Sequence, residues 1–148
     1  MHDPITEVAD LARLPGLLLL DARDAQSFDA RHPAGARRVP VTEWVAFAKA
    51  ADTAFDNVAF WEARIAELGV GPDTHAVVYD DGRMTEAARV WFILQHFGAT
   101  ASILNGGWKA LEPCCGQIGG CAPSSTPFHA RPGSGRVGLT DRETLKAR

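Results

Sequence analysis

The sequence predicts an α/β domain built on a small parallel β-sheet with helices on both faces. Three observations carry that prediction. Leu17–Ala22 is an unbroken apolar run, the pattern of a strand buried on both sides. A second such run, Ala76–Tyr79, passes through a short polar loop into an amphipathic stretch that stops at Gly98. Apolar runs then keep alternating with helical periods as far as Leu111, the order expected of parallel strands joined by crossover helices.

Taken in order, Thr6 is placed to cap a helix through Leu14, stopped by Pro15-Gly16. The strand Leu17–Ala22 follows, then a short helix over Ala25–Arg31 and the turn Pro33-Ala34-Gly35. Arg37–Val39 reads as a short strand ended by Pro40, and Thr42–Ala51 as a helix. Asn57 caps the next helix, which sets Val58, Trp61, Ile65 and Leu68 on one face and has Gly69 at its end. The helix Thr85–Phe97 takes its period from Ala88, Trp91, Phe92 and Gln95. A strand over Ser102–Leu104 and a short helix over Gly107–Leu111 complete the series, so residues 1–112 form the domain. Residues 113–138 are rich in Pro, Gly, Ser and Cys without periodicity and read as a tail or linker. Residues 139–148 restart a pattern: Leu139-Thr140-Asp141 with Leu145 echoes Ile5-Thr6-Glu7 with Leu11, either a second capped helix start or the beginning of a truncated repeat.

A chain of 148 residues is about one domain. Its hydrophobic content of 46% and charge of 22% are those of an ordinary globular protein. A net charge of −3 argues against nucleic acid or an acidic membrane as partner. The run Gly16–Leu20 is too short to cross a bilayer and lacks a basic leader, which makes the cytoplasm the expected compartment. The three cysteines, Cys114, Cys115 and Cys121, are odd in number and crowded together, unlike a disulfide framework; redox pairing among them is a candidate activity. Cys115, Cys121 and His129 offer metal-ligand chemistry, but no C-x2-C pair accompanies them, and no metal is expected.

The chemistry-bearing position in this architecture is the loop between the strand ending at Tyr79 and the helix starting at Thr85. There, strand-end and helix-start N–H groups converge on a place for an anion. This loop supplies two carboxylates, Asp80 and Asp81, together with Arg83. Carboxylates suit a helix N-terminus, where they stabilise by about 0.3–1 kcal/mol, and so read as caps.

Three ordered motifs resemble the rhodanese family of thiosulfate and 3-mercaptopyruvate sulfurtransferases. The first is Leu20-Asp21-Ala22-Arg23 with Phe28, His32, Gly35 and Ala36. The second is Val77-Val78-Tyr79-Asp80 with Ala87-Ala88-Arg89-Val90-Trp91-Phe92 and Phe97-Gly98. The third is Leu104-Asn105-Gly106-Gly107-Trp108. Pro33-Ala34 departs from the family's usual Ile-Pro. The second motif is most similar to the N-terminal, non-catalytic half of tandem enzymes, in which aspartate stands where the other half carries its catalytic cysteine.

The resemblance implies a rhodanese-like fold with no cofactor, and no catalytic residue in this chain, because Asp80 and Asp81 occupy the cysteine's position. Arg23 and Arg83 would be remnants of an anion and substrate site, with Arg23 otherwise paired to Asp21, Asp80 or Asp81. His32, oriented by Asp24, would serve a neighbouring domain's active site. The implied partners are a second rhodanese domain, in tandem or as a homodimer, and a small-molecule sulfur donor. The tail, Pro113 to Gly135, would cross the domain toward the face carrying His32 and the Asp80–Thr85 loop. Two other readings remain open: a free-standing, non-catalytic rhodanese-like binding or regulatory module, and a redox or metal switch acting through the tail cysteines.

Overall fold

A computed structural model of the chain describes residues 5–14, 16–33 and 36–114, together with Phe128 and Ala130. Five parallel strands form one sheet: β1 (Ile5–Thr6), β2 (Leu17–Asp21), β3 (Arg37–Arg38), β4 (His75–Tyr79) and β5 (Ala101–Leu104), in the order β1-β5-β4-β2-β3. The helices are α1 (Ala25–Ala30), α2 (Val41–Lys49), α3 (Val58–Glu67), α4 (Thr85–His96) and α5 (Gly107–Leu111). Two short 3-10 turns cover Val8–Arg13 and Glu112–Cys114.

The alternation of side chains along β2 and β4 explains why their sequences are apolar throughout. Leu18, Leu20, Ala76 and Val78 face a layer filled by Trp44, Trp61, Ile65, Val90 and Leu94 of α2, α3 and α4. Leu19, Val77 and Tyr79 face the opposite layer, with Leu11, Leu104 and Leu111, against which Phe28 and Trp108 pack. Both halves of each strand are therefore buried, and no polar alternation is available to the sequence. Trp44 and Trp61 meet edge to face at 5.4 Å, and the Trp61 indole donates to the Thr53 carbonyl.

Most predicted elements stand within two residues of their expected bounds, and three features differ. Ile5–Thr6 is an edge strand instead of a helix start, and no side chain caps the turn that follows. The Thr6 hydroxyl is spent on the Ser102 hydroxyl of the neighbouring strand, which in turn meets the His75 ring. Tertiary pairing thus outweighs the local capping signal. Secondly, α4 buries Ala87, Val90, Ile93, Leu94, Gln95 and His96, so that of the four residues taken to mark its period only Gln95 is buried, while Ala88, Trp91 and Phe92 are half-buried. The helix is apolar on both candidate stripes, and the bulk of the aromatics points to the wrong one. Thirdly, Phe128 from the aperiodic tail is 6% exposed and belongs to the core layer of α2, α3 and α4. The Ala130 N–H donates to Glu62 of α3 at 2.8 Å. The rest of the tail's course toward the face carrying His32 and the Asp80–Thr85 loop lies outside the described residues.

The restart at Leu139–Leu145, and Cys115, Cys121 and His129, lie outside the described residues. Among the described residues, no helix is long and apolar enough to cross a membrane.

Candidate functional site

The loop from Asp80 to Met84 is folded around the Asp80 carboxylate. One carboxylate oxygen accepts the N–H groups of Gly82 at 2.9 Å and Met84 at 3.0 Å; the other accepts that of Ala87, in the first turn of α4, at 3.1 Å. Asp80 is 2% exposed. Its side chain is thus the anion held by the strand-end and helix-start donors. Met84 takes a left-handed conformation (φ 68°) to enter the helix.

Behind the loop stands the Gly106-Gly107 turn. The Trp108 N–H donates to the Asp80 carbonyl at 2.7 Å. Gly107 has φ +57°, and a Cβ there would come within 2.6 Å of the Gly82 nitrogen and 2.7 Å of the Asp80 carbonyl oxygen. The third sequence motif therefore owes its second glycine to contact between two backbones.

Arg23 lies beside the loop but turns inward. Its guanidinium grips the Asp21 carboxylate through Nε at 3.0 and 3.1 Å and Nη2 at 2.7 Å, and Nη2 also donates to the Arg31 carbonyl at 2.7 Å. The Asp21 side chain is fully buried and that of Arg23 is 7% exposed. Tyr79 completes the cluster by donating its hydroxyl to Asp21 at 2.7 Å, and the guanidinium rests 4.2 Å from the centre of the Trp108 ring. Burial, then the negative charge of Asp21, pushes the Tyr79 hydroxyl far above its ordinary range. For Arg23, burial pulls downward, but the hydrogen bond and charge of Asp21 outweigh it and the net shift is upward. Of the three acids that the sequence offered Arg23, the structure joins it to Asp21.

Over the loop lies a cleft of about 430 Å³, lined by Arg23, Asp24, Arg38, Asp81, Arg83 and Thr85 among others. Asp81 accepts from the Arg83 backbone N–H at 3.1 Å, and their side chains approach to 3.7 Å in an exposed pair. Asp24 caps α1 by accepting the Ser27 N–H at 2.7 Å, and that bond holds its carboxyl below the usual range. His32 bonds instead to the Phe28 carbonyl through Nδ1 at 2.7 Å and stacks on the Phe28 ring at 3.8 Å. In place of the expected Asp24–His32 pairing, each side chain makes a separate local bond, Asp24 to the Ser27 N–H and His32 to the Phe28 carbonyl. Among the described residues His32 is not part of the cleft wall.

Arg38 was missed by sequence reasoning. It reaches the cleft from β3 with its Nε on the Arg23 carbonyl at 3.2 Å. The adjacent arginines after the Pro33–Gly35 turn were the available signal. Of the tail cysteines only Cys114 is described, at the end of the turn Glu112–Cys114. Among the described residues no group of three or more His, Cys, Asp or Glu side chains is arranged to hold a metal ion.

The rhodanese-like domain model matches residues 5–113. The chain belongs to the rhodanese-like family. It is 36% identical over 105 residues to the thiosulfate sulfurtransferase of Gallus gallus, covering 64% of this chain and 36% of that protein. It is 50% identical over 42 residues to the 3-mercaptopyruvate sulfurtransferase of Escherichia coli, covering 28% of this chain and 15% of that protein. A solved 3-mercaptopyruvate sulfotransferase from Escherichia coli, described by its rhodanese fold, superposes with a TM-score of 0.61 at 24% identity, covering 99% of this chain and 62% of that one. The match spans about a third of the length of the thiosulfate sulfurtransferases, 36% in each of three.

Proposed function

We propose that this chain is the non-catalytic, interface half of a rhodanese-type sulfurtransferase. A second rhodanese domain, in tandem or as another copy, accompanies it. Sulfane-sulfur transfer needs a thiolate. It attacks the outer sulfur of thiosulfate, or the sulfur of 3-mercaptopyruvate, and keeps that sulfur as a persulfide while sulfite or pyruvate departs. An acceptor such as cyanide then takes the sulfur and restores the thiolate.

Asp80 has no sulfur with which to do this. The observation that carries the reading is that its carboxylate takes up three backbone donors that would otherwise receive an anion or activate a thiol. Arg23, committed to Asp21, has its charge neutralised as well. Beyond the described residues, the echo at Leu139–Leu145 fits the start of a following repeat. Three cysteines, odd in number and clustered within eight residues rather than spread as a disulfide framework, fit a reducing compartment such as the cytoplasm.

The test is turnover with thiosulfate and cyanide, and with 3-mercaptopyruvate and a thiol. The chain alone is expected to be inactive. Turnover that survives replacement of Cys114, Cys115 and Cys121 together would refute the chemistry, and turnover lost only with those residues would move the activity to the tail.

A further inference from the structure

The chain has two asparagines, Asn57 and Asn105, in different settings. Asn57 caps α3: its side-chain oxygen accepts the Phe60 N–H at 3.2 Å, and its amide donates to the Asp52 carbonyl at 2.9 Å. Val58 follows it, and a branched side chain crowds its own backbone nitrogen. Asn105 is exposed, directly after β5, and Gly106 follows it. Glycine has no side chain to shield its nitrogen. Among the described residues the Gly106 N–H meets no acceptor. At Asp81-Gly82, by contrast, the glycine N–H is already given to the Asp80 carboxylate at 2.9 Å.

A carboxamide beside a bare, free backbone nitrogen can undergo intramolecular acyl substitution. The Gly106 nitrogen gives up its proton to solvent and bonds to Cγ of Asn105. The Cγ–Nδ2 bond breaks, and the amide nitrogen leaves as ammonia, taking a proton from solvent. Water then opens the five-membered imide at one of its two carbonyls. One opening leaves aspartate; the other leaves isoaspartate, in which the main chain runs through the former side chain. No oxidation state changes, and water is the only co-reactant.

One contact opposes the reaction. Nδ2 of Asn105 donates to both oxygens of Glu7, at 3.1 and 3.2 Å, and ties down the carboxamide that has to turn toward Gly106. The main chain around the site is closely placed. The Asn105 N–H donates to the Thr6 carbonyl at 2.9 Å, and the Trp108 N–H to the Asp80 carbonyl at 2.7 Å. Between them, Gly107 lies against Gly82 and Asp80 with no room for a Cβ. Isoaspartate adds one carbon to this run. Either product also sets a carboxylate against Glu7 where an amide donor stood.

We propose that Asn105–Gly106 is a site of spontaneous deamidation in the folded protein, that Glu7 slows it, and that conversion releases the turn from the Asp80 loop. The experiment incubates the full chain in mildly alkaline buffer and follows both asparagines by peptide mapping and mass spectrometry, which separates aspartate from isoaspartate. The same chain unfolded in urea sets the intrinsic rate. Folded Asn105 should convert no more than about tenfold more slowly than unfolded, equivalent to about 1.4 kcal/mol of added barrier, while Asn57 stays intact. Slower conversion of Asn105, or equal conversion of Asn57, overturns the site. Glu7→Ala should speed conversion about fivefold, the loss of a net hydrogen bond of about 1 kcal/mol. An unchanged rate overturns the role of Glu7. Converted chains, separated from unconverted ones by their added charge, should exchange the amide hydrogens of Gly82, Met84 and Trp108 faster, with those of α3 unaltered. Equal exchange at those three amides overturns the link to the loop.

Discussion

Replacing Asp80 asks whether the loop is folded around its carboxylate. In Asp80→Ala the N–H groups of Gly82, Met84 and Ala87 lose their acceptor together. A buried donor without a partner costs about 1–3 kcal/mol. The Ala87 bond is buried and counts near the upper figure, whereas the other two are part-buried beside an open cleft, where water replaces much of the loss. The sum is about 3–4 kcal/mol. Asp80→Asn keeps one oxygen for Gly82 and Met84 but opposes an amide N–H to that of Ala87, and should lose about 2–3 kcal/mol. Urea denaturation of the full chain gives both values. A second arm adds thiosulfate. Once the carboxylate is gone, an anion can enter the cradle, and at ten times its dissociation constant it restores about 1.4 kcal/mol. Wild type should not respond. An alanine variant within about 1 kcal/mol of wild type, or equal stabilisation of both proteins by thiosulfate, would refute the reasoning.

Gly107→Ala should be at least as damaging, because its Cβ meets backbone on two sides in a left-handed conformation; a loss below about 1 kcal/mol on thermal or urea melting would mean that the turn does not clamp the loop. Phe128→Ala should cost about 3–5 kcal/mol, as for a core aromatic, and a near-neutral result would place the tail outside the core. His96 is buried with an unpartnered Nδ1 and packs among Phe55, Phe92 and Phe97, and burial lowers its pKa. The unfolded chain then takes up a proton near pH 6.5 that the folded chain refuses, so stability falls as pH drops below about 6.5 and levels off only beneath the folded-state pKa. Denaturation midpoints across that range should slope less in His96→Phe, and equal slopes would contradict the assignment.

The sheet was legible because buried parallel strands leave apolar runs that polar loops and glycines bracket. Leu17–Ala22 and Ala76–Tyr79 needed no more than that. The Asn57 cap was equally plain, and its side chain accepts the Phe60 N–H at 3.2 Å. What sequence could not show is a choice between equivalent partners. Thr6 can cap a turn or bond across a sheet, and only the position of Ser102, 96 residues away, decides. The stripe of α4 is ambiguous because both sides of the helix are apolar. Phe128 is one aromatic among prolines, glycines and serines, without a period to announce burial. At the site, the carboxylate at Asp80 was visible as a residue type, but its three donors come from a loop conformation that no spacing encodes.

The two margins of the sheet bear on how such a domain can meet another. Each edge strand is two residues long, Ile5–Thr6 on one side and Arg37–Arg38 on the other. A visiting strand would find almost no backbone ladder to extend, and at one margin it would meet a pair of guanidinium groups. Among the described residues, the sheet therefore offers little to a strand that would continue it. The helices and loop ends offer side chains instead, which can be altered one residue at a time without disturbing the strands.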